Sequence, residues 1–456
     1  MPPSVSSDSR ARHPPLSPSR VLALSFALLV GAGTFVLWLP ASADAGSLSL
    51  IDAFFTAVSA VCVTGLIVVD TPVVLAPLGE ATVLLLIQLG GLGYMTIATL
   101  VGISFGKGLT LQERRVLQEG LHVETMEDVV RFAATVLALT ACFEAAGALA
   151  LGLYWADDFG LARGVYLGLF HSVSAFNNAG FSLFSTNLVA YQGDLLVNLV
   201  VLTLVIGGGV GFLVLVEVGR LRQWRRFSMH TKLVLAMTVA LIGAGTLAVF
   251  LLERSNPRTL ATLPAGQAWL AALFQAVSPR TAGFNTLDVA SLTTPTLFVT
   301  MALMFVGAGS GGTAGGIKVS TLAVTVLALW ATARGDGEPA AFGRRLPADL
   351  VSRAFVIGLI GFLALNLVVG LLLITEGGEF LPILFEATSA FGTVGLSTGV
   401  AGRPVSLVAE FSVAGKLLVA AMMFAGRLGP LTLAVALAGR QTRLRFRYPE
   451  GKVLIG

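Results

Sequence analysis

Four short glycine motifs recur along the chain, and their composition suits the coordination of a cation that has lost its water. The motifs are Val61–Leu66, Phe176–Phe181, Pro279–Phe284 and Phe391–Leu396. Their last glycines, called here the motif glycines, lie 115, 103 and 112 residues apart and are Gly65, Gly180, Gly283 and Gly395. A regular period of this kind indicates one structural unit built four times.

Backbone carbonyls replace the hydration shell of a cation where successive carbonyls point the same way. Glycine reaches the positive φ that such a backbone needs at little steric cost. We therefore expect a selectivity filter made by the carbonyls of Val63, Thr64, Gly65, Asn178, Ala179, Gly180, Thr281, Ala282, Gly283, Thr393, Val394 and Gly395. The alternative is four tight turns between packed helices.

The elements that position the motifs are those of a membrane protein. Of the 456 residues, 55% are hydrophobic and 12% are charged, about half the charge of a soluble domain. Apolar runs of roughly 20 residues recur, and each motif follows a run too short to cross a bilayer. These short runs, near 52–63, 165–177, 266–278 and 380–391, suit half-helices whose negative C-terminal ends face a cation. Irregular backbone at membrane depth must be buried or line a watery cavity.

The predicted fold is therefore an all-α polytopic membrane protein of four tandem helix–pore-loop–helix units, with eight transmembrane helices and four half-helices around one pseudo-fourfold pore. The predicted pore units are 19–108, 130–222, 223–335 and 351–439. A disordered cytoplasmic tail (1–18), a cytoplasmic amphipathic linker (109–129), a second cytoplasmic linker (336–350) and a basic cytoplasmic tail (440–456) complete the chain. The two tails and the loops that follow each repeat hold 21 of the 29 Lys and Arg residues. Because positive charge marks the cytoplasmic side, both termini are expected in the cytoplasm.

Composition and motifs also exclude classes of function. The basic charge is spread over short membrane-flanking loops without clustered aromatic residues, so a nucleic-acid surface is not expected. Cys62 and Cys142 have no metal or disulfide spacing. The sequence has no nucleophile–base pair, zinc cluster or phosphate loop, so it does not indicate an enzyme.

A glycine-rich segment at 307–316 interrupts the third closing span, and six of its ten residues are glycine. Such a run disfavours a straight helix, so we expect it to line the pore as a movable barrier, a static kink being the alternative. Arg427 occupies the slot that Gly91 and Gly209 fill in the first two units. A charge at membrane depth marks a functional position. It would raise the barrier for a cation, or pair with carbonyls of the segment and hold it shut; the alternative is a buried ion pair. The predicted gate residues are Gly307, Gly309, Ser310, Gly311, Gly312, Thr313, Gly315, Gly316, Lys318 and Arg427.

Other ionisable residues carry weaker signals. Glu144 and Lys416 lie in apolar spans and should have polar partners that the sequence does not identify. His171 is expected to be a hydrogen-bonded packing residue, and the side chain of Arg280 to brace the third motif from behind. Two acids beside the half-helices, Asp52 and Glu386, suit either a cation-attracting pore mouth or ordinary loop solvation.

At these residues the chain resembles the Trk/Ktr/HKT superfamily of potassium transporters, most closely the bacterial KtrB/TrkH membrane subunits. The resemblance extends from about Val21 to the C-terminus and is most specific at Arg280–Phe284, Thr313–Lys318 and Arg427. Thr393-Val394-Gly395 also matches the start of the potassium-channel filter. The resemblance implies K⁺ at the filter carbonyls, one filter glycine per unit, an intramembrane gating loop and uptake stimulated by Na⁺, without an organic cofactor. It further implies a homodimer in the bacterial plasma membrane, regulated by a cytoplasmic RCK-type ring of nucleotide-binding subunits of the KtrA/TrkA kind.

The predicted function is therefore K⁺ uptake, with an ion-coupled secondary transporter of another solute as the alternative. Such transporters often have inverted repeats, whereas the four repeats here run parallel. A voltage-gated channel is disfavoured because no span has a regular arginine series.

Overall fold

The computed structural model describes residues 18–44, 46–104, 126–221, 223–335 and 338–429, and these residues are predominantly helical. A small antiparallel hairpin pairs Ala340–Ala341 with Arg344–Arg345. Most of the predicted N-terminal tail, most of the predicted linker at 109–129 and the whole predicted C-terminal tail lie outside the described residues.

Four long helices open the repeats and carry apolar side chains on their outer faces. These opening helices are Pro18–Trp38, Met126–Phe159, Met229–Glu253 and Ala348–Glu376. Each contains a stretch long and apolar enough to cross a membrane, of which only 22–33% is buried inside the protein. Leu28, Val239 and Ile374 are 75%, 70% and 82% exposed. Large apolar surfaces of this kind are unfavourable in water and suit contact with lipid.

Four short helices follow the opening helices, and each ends at a glycine motif. The short helices are Leu50–Val61, Leu161–Phe176, Ala265–Val277 and Phe380–Gly392, and their ends differ from the predicted half-helices by at most four residues. Each buries at least one phenylalanine that is 0–2% exposed, and those near the middle of the helices are Phe55, Phe170, Phe274 and Phe385. The short helices therefore form the interior of the protein, while the opening helices surround them.

The closing helices return after the motifs, and none is a straight helix across the predicted span. They are Pro77–Ser104, the pair Leu195–Gly209 and Phe212–Leu221, the pair Thr294–Phe305 and Val319–Arg334, and Val413–Leu428. The first is kinked at Gly93, where φ is 75°. The second closing helix is bent by 103° between Leu195–Gly209 and Phe212–Leu221, around Gly211, where φ is 100°. The fourth closing helix ends at Gly429, where φ is 86°.

Within the described residues, the first and second closing helices are thus interrupted, and the fourth ends at Gly429. The reason is that these glycines adopt a left-handed conformation, which glycine tolerates and which no α-helix contains. The number of membrane crossings stays a prediction.

The glycine that precedes each of these breaks by three residues has a packing role. A side chain on Gly90, Gly208 or Gly426 would collide with a backbone carbonyl oxygen at the end of a short helix, respectively that of Val61, Phe176 or Phe391. Close approach is therefore the reason for glycine at these three positions. The closing helices press on the C-terminal ends of the short helices and so fix the position of the motifs.

Candidate ion pathway

The four motif glycines lie next to one another in a closed ring. A Cβ atom on Gly65 would lie 3.1 Å from the Cα atom of Gly180, and one on Gly180 would lie 2.8 Å from that of Gly283. A Cβ atom on Gly283 would lie 3.4 Å from the Cα atom of Gly395, and one on Gly395 would lie 3.1 Å from that of Gly65. The order around the ring is the order along the chain, and segments more than a hundred residues apart meet at one place.

A backbone carbonyl lies at each contact of the ring. A Cβ atom on Gly65, Gly283 or Gly395 would collide with the carbonyl oxygen of Ala179, Val394 or Thr64, respectively. A Cβ atom on Gly180 would lie 3.0 Å from the carbonyl oxygen of Ala282. Each of these carbonyls belongs to the residue before a motif glycine. No side chain fits at the motif glycines, and four equivalent oxygens are gathered around them.

Each motif contains two residues with left-handed backbone conformation. The motif glycines have φ values of 91°, 68°, 73° and 93° in chain order. The residue two positions earlier also has positive φ, and these residues are Val63 (56°), Asn178 (60°), Thr281 (76°) and Thr393 (49°). Positive φ is uncommon outside glycine, above all for β-branched residues. Such strain persists only where the surrounding structure imposes it, and it concentrates at functional sites.

These four residues are among the predicted ligands, but their local sequence does not predict their conformation. A valine or threonine gives no sequence signal for positive φ. What the sequence did contain is the repeated backbone pattern around them, which is recognisable only once the motifs are aligned by their glycines.

A serine near the end of each short helix braces the motif that follows. Ser59 and Ser389 accept hydrogen bonds at 3.1 Å from the backbone N–H groups of Gly65 and Gly395, respectively. In the two middle repeats the hydroxyl donates instead. Ser174 donates to the carbonyl oxygen of Phe181 at 2.8 Å, and Ser278 donates to the carbonyl oxygen of Phe284. The recurring serine thus fixes the backbone at or just after the motif glycine.

An open cavity of about 820 Å³ has all four motif glycines in its lining. Two acids and one base contribute to its wall, Asp70, Asp288 and Arg403. Burial raises the pKa of the Asp70 carboxyl, and a hydrogen bond with Ser185 opposes the shift. Residues that follow the motifs therefore build a vestibule in front of the glycine ring.

The glycine-rich segment is non-helical between Phe305 and Val319 and finds its partners in neighbouring backbone. Gly309 N–H donates to the carbonyl oxygen of Gly209 at 2.7 Å, and Thr313 N–H donates to that of Gly208 at 3.2 Å. The Thr313 hydroxyl also donates to the carbonyl oxygen of Phe176 at 3.3 Å. The segment is thereby fastened to the second closing helix and to the end of the second short helix.

Close contacts also place the segment beside the fourth motif. A side chain on Gly315 would collide with the Thr393 hydroxyl, and one on Gly307 would collide with the Gly315 carbonyl oxygen. A Cβ atom on Gly312 would lie 2.8 Å from the Gly208 carbonyl oxygen, and one on Gly316 would lie 3.3 Å from the Gly392 Cα atom. The segment therefore packs directly against the residues that carry the motif glycines.

The remaining predicted gate residues have local roles. The hydroxyls of Ser310 and Ser320 are 2.6 Å apart and share a hydrogen bond. Lys318 donates from Nζ to the carbonyl oxygen of Ala314. Gly311 has a φ of 73° with open space where a Cβ atom would lie, so its conformation, rather than crowding, favours glycine there.

Arg427 connects the glycine-rich segment to the first closing helix. Its guanidinium donates to the carbonyl oxygen of Thr313, to that of Gly90 at 2.6 Å and to that of Gly91 at 3.3 Å. Within the described ranges, no carboxylate lies within 4.0 Å of this guanidinium. The contacts therefore match the expected pairing with carbonyls of the segment and not the alternative of a buried ion pair.

The structure also gives partners to the intramembrane residues that the sequence left unpaired. Glu144 accepts from Asn177 Nδ2 at 2.9 Å and from Gln88 Nε2 at 3.2 Å, and Lys416 forms an ion pair with Asp52 at 2.8 Å. Glu144 thereby connects the second opening helix to the second motif and to the first closing helix. Lys416 connects the fourth closing helix to the first short helix.

Arg280 is buried and donates to the hydroxyl and carbonyl oxygens of Thr238 at 3.4 and 3.5 Å. Its side chain thus extends away from the ring, towards the third opening helix, as expected for a brace. Asp52 is engaged by Lys416, and Glu386 is 0% exposed. Loop solvation is wrong for Glu386, because its carboxylate accepts hydrogen bonds from Ser397 and Val408 inside the protein. A cation-attracting role at the pore mouth stays a prediction.

Apolar outer helices around a convergence of glycines and carbonyls define the chain as a membrane transporter of cations. The chain belongs to the TrkH family of cation transport proteins, whose pattern matches residues 19–443. It is accordingly a transporter and not an enzyme.

Relatives of similar length support this assignment. The Ktr system potassium uptake protein B of Bacillus subtilis (strain 168) is 42% identical over 440 residues, which is 96% of this chain and 97% of the relative. The protein of the same name from Vibrio alginolyticus is 40% identical, over 96% of this chain and 94% of the relative. The potassium/sodium uptake protein NtpJ of Enterococcus hirae is 34% identical, over 97% of this chain and 98% of the relative. The crystal structure of the potassium transporter TrkH from Vibrio parahaemolyticus has the same fold, with a TM-score of 0.74 at 20% identity, over 93% of this chain and 86% of that one.

Proposed function

We propose that this chain takes up K⁺ across the bacterial plasma membrane through the ring of motif glycines. The single observation that carries the proposal is the convergence of four glycines with four equivalent carbonyl oxygens between them. The relatives at 42% and 40% identity are named as potassium uptake proteins, which favours K⁺ as the transported ion.

In this mechanism a hydrated K⁺ enters the vestibule and exchanges its water for backbone oxygens. The carbonyls of Thr64, Ala179, Ala282 and Val394, together with the other motif carbonyls, supply the ligands. The four short helices end at the ring, and their negative C-terminal ends favour a cation there. Each repeat contributes one side of a single pathway, so the four helix–pore-loop–helix units surround one pseudo-fourfold pore.

The glycine-rich segment and Arg427 form the gate. Arg427 holds the segment through Thr313, and its fixed positive charge raises the barrier for K⁺ because like charges repel strongly where water is scarce. Opening requires the segment to leave the carbonyls of the second closing helix and to break its contact with Arg427, which is anchored to the first closing helix. Lys318 adds a second positive charge beside the same segment.

Regulation by Na⁺ and by other subunits completes the proposal. The words "Ktr system" in the names of relatives indicate more than one component. We propose, as the family resemblance implies, a homodimer controlled by a cytoplasmic RCK-type ring of nucleotide-binding subunits. The name of the Enterococcus relative includes sodium beside potassium. A role of Na⁺ as an activator of K⁺ uptake is what the family resemblance implies. Both termini lie in the cytoplasm in this arrangement.

Rubidium-isotope uptake into vesicles that contain the purified protein tests the function. Wild-type protein should take up rubidium, and added K⁺ should block that uptake. Gly283→Ala should abolish most of it, because the new methyl group meets the Val394 carbonyl oxygen and the left-handed conformation adds about 1–3 kcal/mol of strain.

Gly243→Ala is the matched control, since nothing lies within 4 Å of a Cβ atom at Gly243. It should transport like the wild type. Full K⁺-blocked uptake by Gly283→Ala, or wild-type protein that exchanges an organic solute and not rubidium, would refute the proposal.

A further inference from the structure

Two buried ionisable side chains occupy the same place in the second and fourth repeats. His171 lies nine residues before Gly180, and Glu386 lies nine residues before Gly395. Both are 0% exposed. Each faces a serine two residues after the motif glycine of its own repeat, Ser182 or Ser397.

In the fourth repeat Glu386 acts as a double acceptor. The Ser397 hydroxyl donates to Glu386 Oε2 at 2.6 Å, and Val408 N–H donates to Oε1 at 3.0 Å. Ser397 Oγ in turn accepts from the backbone N–H groups of Gly399 at 3.0 Å and Leu407 at 2.9 Å. The carboxylate thereby fixes the hydroxyl, and the hydroxyl fixes the strand that leaves the ring.

In the second repeat His171 is likewise an acceptor for a serine hydroxyl, as the tautomer of its ring shows. His171 Nδ1 lies 2.8 Å from the Leu167 carbonyl oxygen, which can only accept, so Nδ1 carries the hydrogen. Nε2 of the neutral ring is then an acceptor, and the Ser182 hydroxyl 2.9 Å away donates to it. Ser182 Oγ accepts from Phe184 N–H at 3.0 Å, the counterpart of the contact with Gly399.

The two arrangements are therefore equivalent and lie on opposite sides of the ring, because the ring order follows the chain. Both serines line the vestibule together with the motif glycines. The first repeat differs, since Ile67 follows its glycine by two residues. Thr56, the counterpart of His171 and Glu386 there, has a buried hydroxyl that makes no hydrogen bond within the described part of the chain.

We propose that His171 and Glu386 are positioning residues that set ion selectivity by orienting Ser182 and Ser397. This inference rests on the proposed function. K⁺ and Na⁺ differ in the oxygen spacing they prefer, and a ring of flexible carbonyls discriminates only as far as the surrounding backbone holds that spacing. Two diagonal strands held by oriented hydroxyls resist contraction around the smaller Na⁺. Without the hydroxyls, the N–H groups of Phe184 and Gly399 lose their acceptors and both strands are free to move.

The experiment measures the inhibition of rubidium uptake by K⁺ and by Na⁺ in vesicles, and the ratio of the two half-inhibiting concentrations is the readout. A general loss of folded protein lowers uptake without changing this ratio. The double variant Ser182→Ala/Ser397→Ala should lower the preference for K⁺ over Na⁺ by about threefold or more, as expected when buried hydrogen bonds are lost. Ser182→Thr/Ser397→Thr keeps both hydroxyls and should have the wild-type ratio.

Glu386→Gln tests the acceptor itself. Its amide replaces one of the two accepting oxygens, Oε1 or Oε2, with an N–H donor, so it cannot reproduce both the contact with Ser397 and that with Val408. The ratio should fall as it does when the serine hydroxyls are removed. Thr56→Val is the matched control in the first repeat and should leave the ratio unchanged.

An unaltered ratio in both the double alanine variant and Glu386→Gln would overturn the inference, as would an equal change in Thr56→Val. Wild-type uptake that K⁺ does not block would instead refute the proposed function. The two failures are therefore distinguishable in one set of vesicles.

Discussion

Replacing Arg427 with alanine should increase K⁺ flux, because the arginine is the cationic connection between the glycine-rich segment and the first closing helix. The change removes three donated hydrogen bonds, to Thr313, Gly90 and Gly91. It also removes a fixed positive charge from the pathway. Both losses favour an open gate.

The size of the effect follows from the bonds to the segment. A hydrogen bond to a charged group contributes about 1.5–3 kcal/mol. The bond between Arg427 and Thr313 is the one that must break when the segment moves, while those to Gly90 and Gly91 anchor the guanidinium. Loss of that single bond shifts the equilibrium between closed and open gate by about tenfold to a hundredfold, since 1.4 kcal/mol is a factor of ten.

Rubidium uptake by protein in vesicles, without any regulatory subunit, measures the change. Arg427→Lys keeps the charge but not the planar fork of donors, so it should give a smaller increase than Arg427→Ala. Lys416→Ala is the control on the same helix. It removes a cation that pairs with Asp52 and contacts no residue of the segment, and it should not increase flux.

Two results would refute this reasoning. Folded Arg427→Ala protein with wild-type flux would show that the guanidinium does not restrain the gate. An equal increase in Lys416→Ala would show that the effect arises from lost cationic charge in general.

The other predictions concern packing and the vestibule. Gly208→Ala places a methyl group against the Phe176 carbonyl oxygen and should destabilise the protein by about 1–3 kcal/mol, which would lower its Tm in detergent. Gly219→Ala is the control, since nothing lies within 4 Å of a Cβ atom there, and it should keep the wild-type Tm. Equal Tm values for the two variants would contradict the packing argument. Burial raises the pKa of Asp70, so this carboxylate loses its charge at a higher pH than an ordinary aspartate as the medium is acidified. The K⁺ concentration for half-maximal uptake should therefore rise as external pH falls. In Asp70→Asn this concentration should be higher than in the wild type at neutral pH and should depend little on pH. A pH response that Asp70→Asn retains in full would exclude this carboxylate as its source.

The positions of the short helices and the residues of the ring could be predicted from sequence because periodic glycine and apolar run length are local signals. The contact between Arg427 and the glycine-rich segment was also predictable, since a membrane-embedded guanidinium needs acceptors and a broken helix leaves carbonyls free. For each of these features, the residues involved have few other structures or partners that would satisfy them.

Other features depend on tertiary context. Glycines in an apolar run are compatible with close packing, as at Gly90, and with a sharp bend, as at Gly211, and the sequence does not separate the two. The positive φ of Val63 contradicts its own local preference and is imposed by the surrounding fold. The burial of Glu386 was not predictable, because its hydrogen-bond partners Ser397 and Val408 are distant in sequence and are brought to it only by the fold.

The ring of motif glycines is assembled from a single polypeptide, so its quadrants are chemically unequal. The carbonyls that meet there come from Thr64, Ala179, Ala282 and Val394, and no symmetry operation forces them to move together. An assembly of identical subunits would carry every substitution four times. Here one quadrant can be altered while three remain native, which makes the energetic share of each quadrant in holding a dehydrated ion separately measurable.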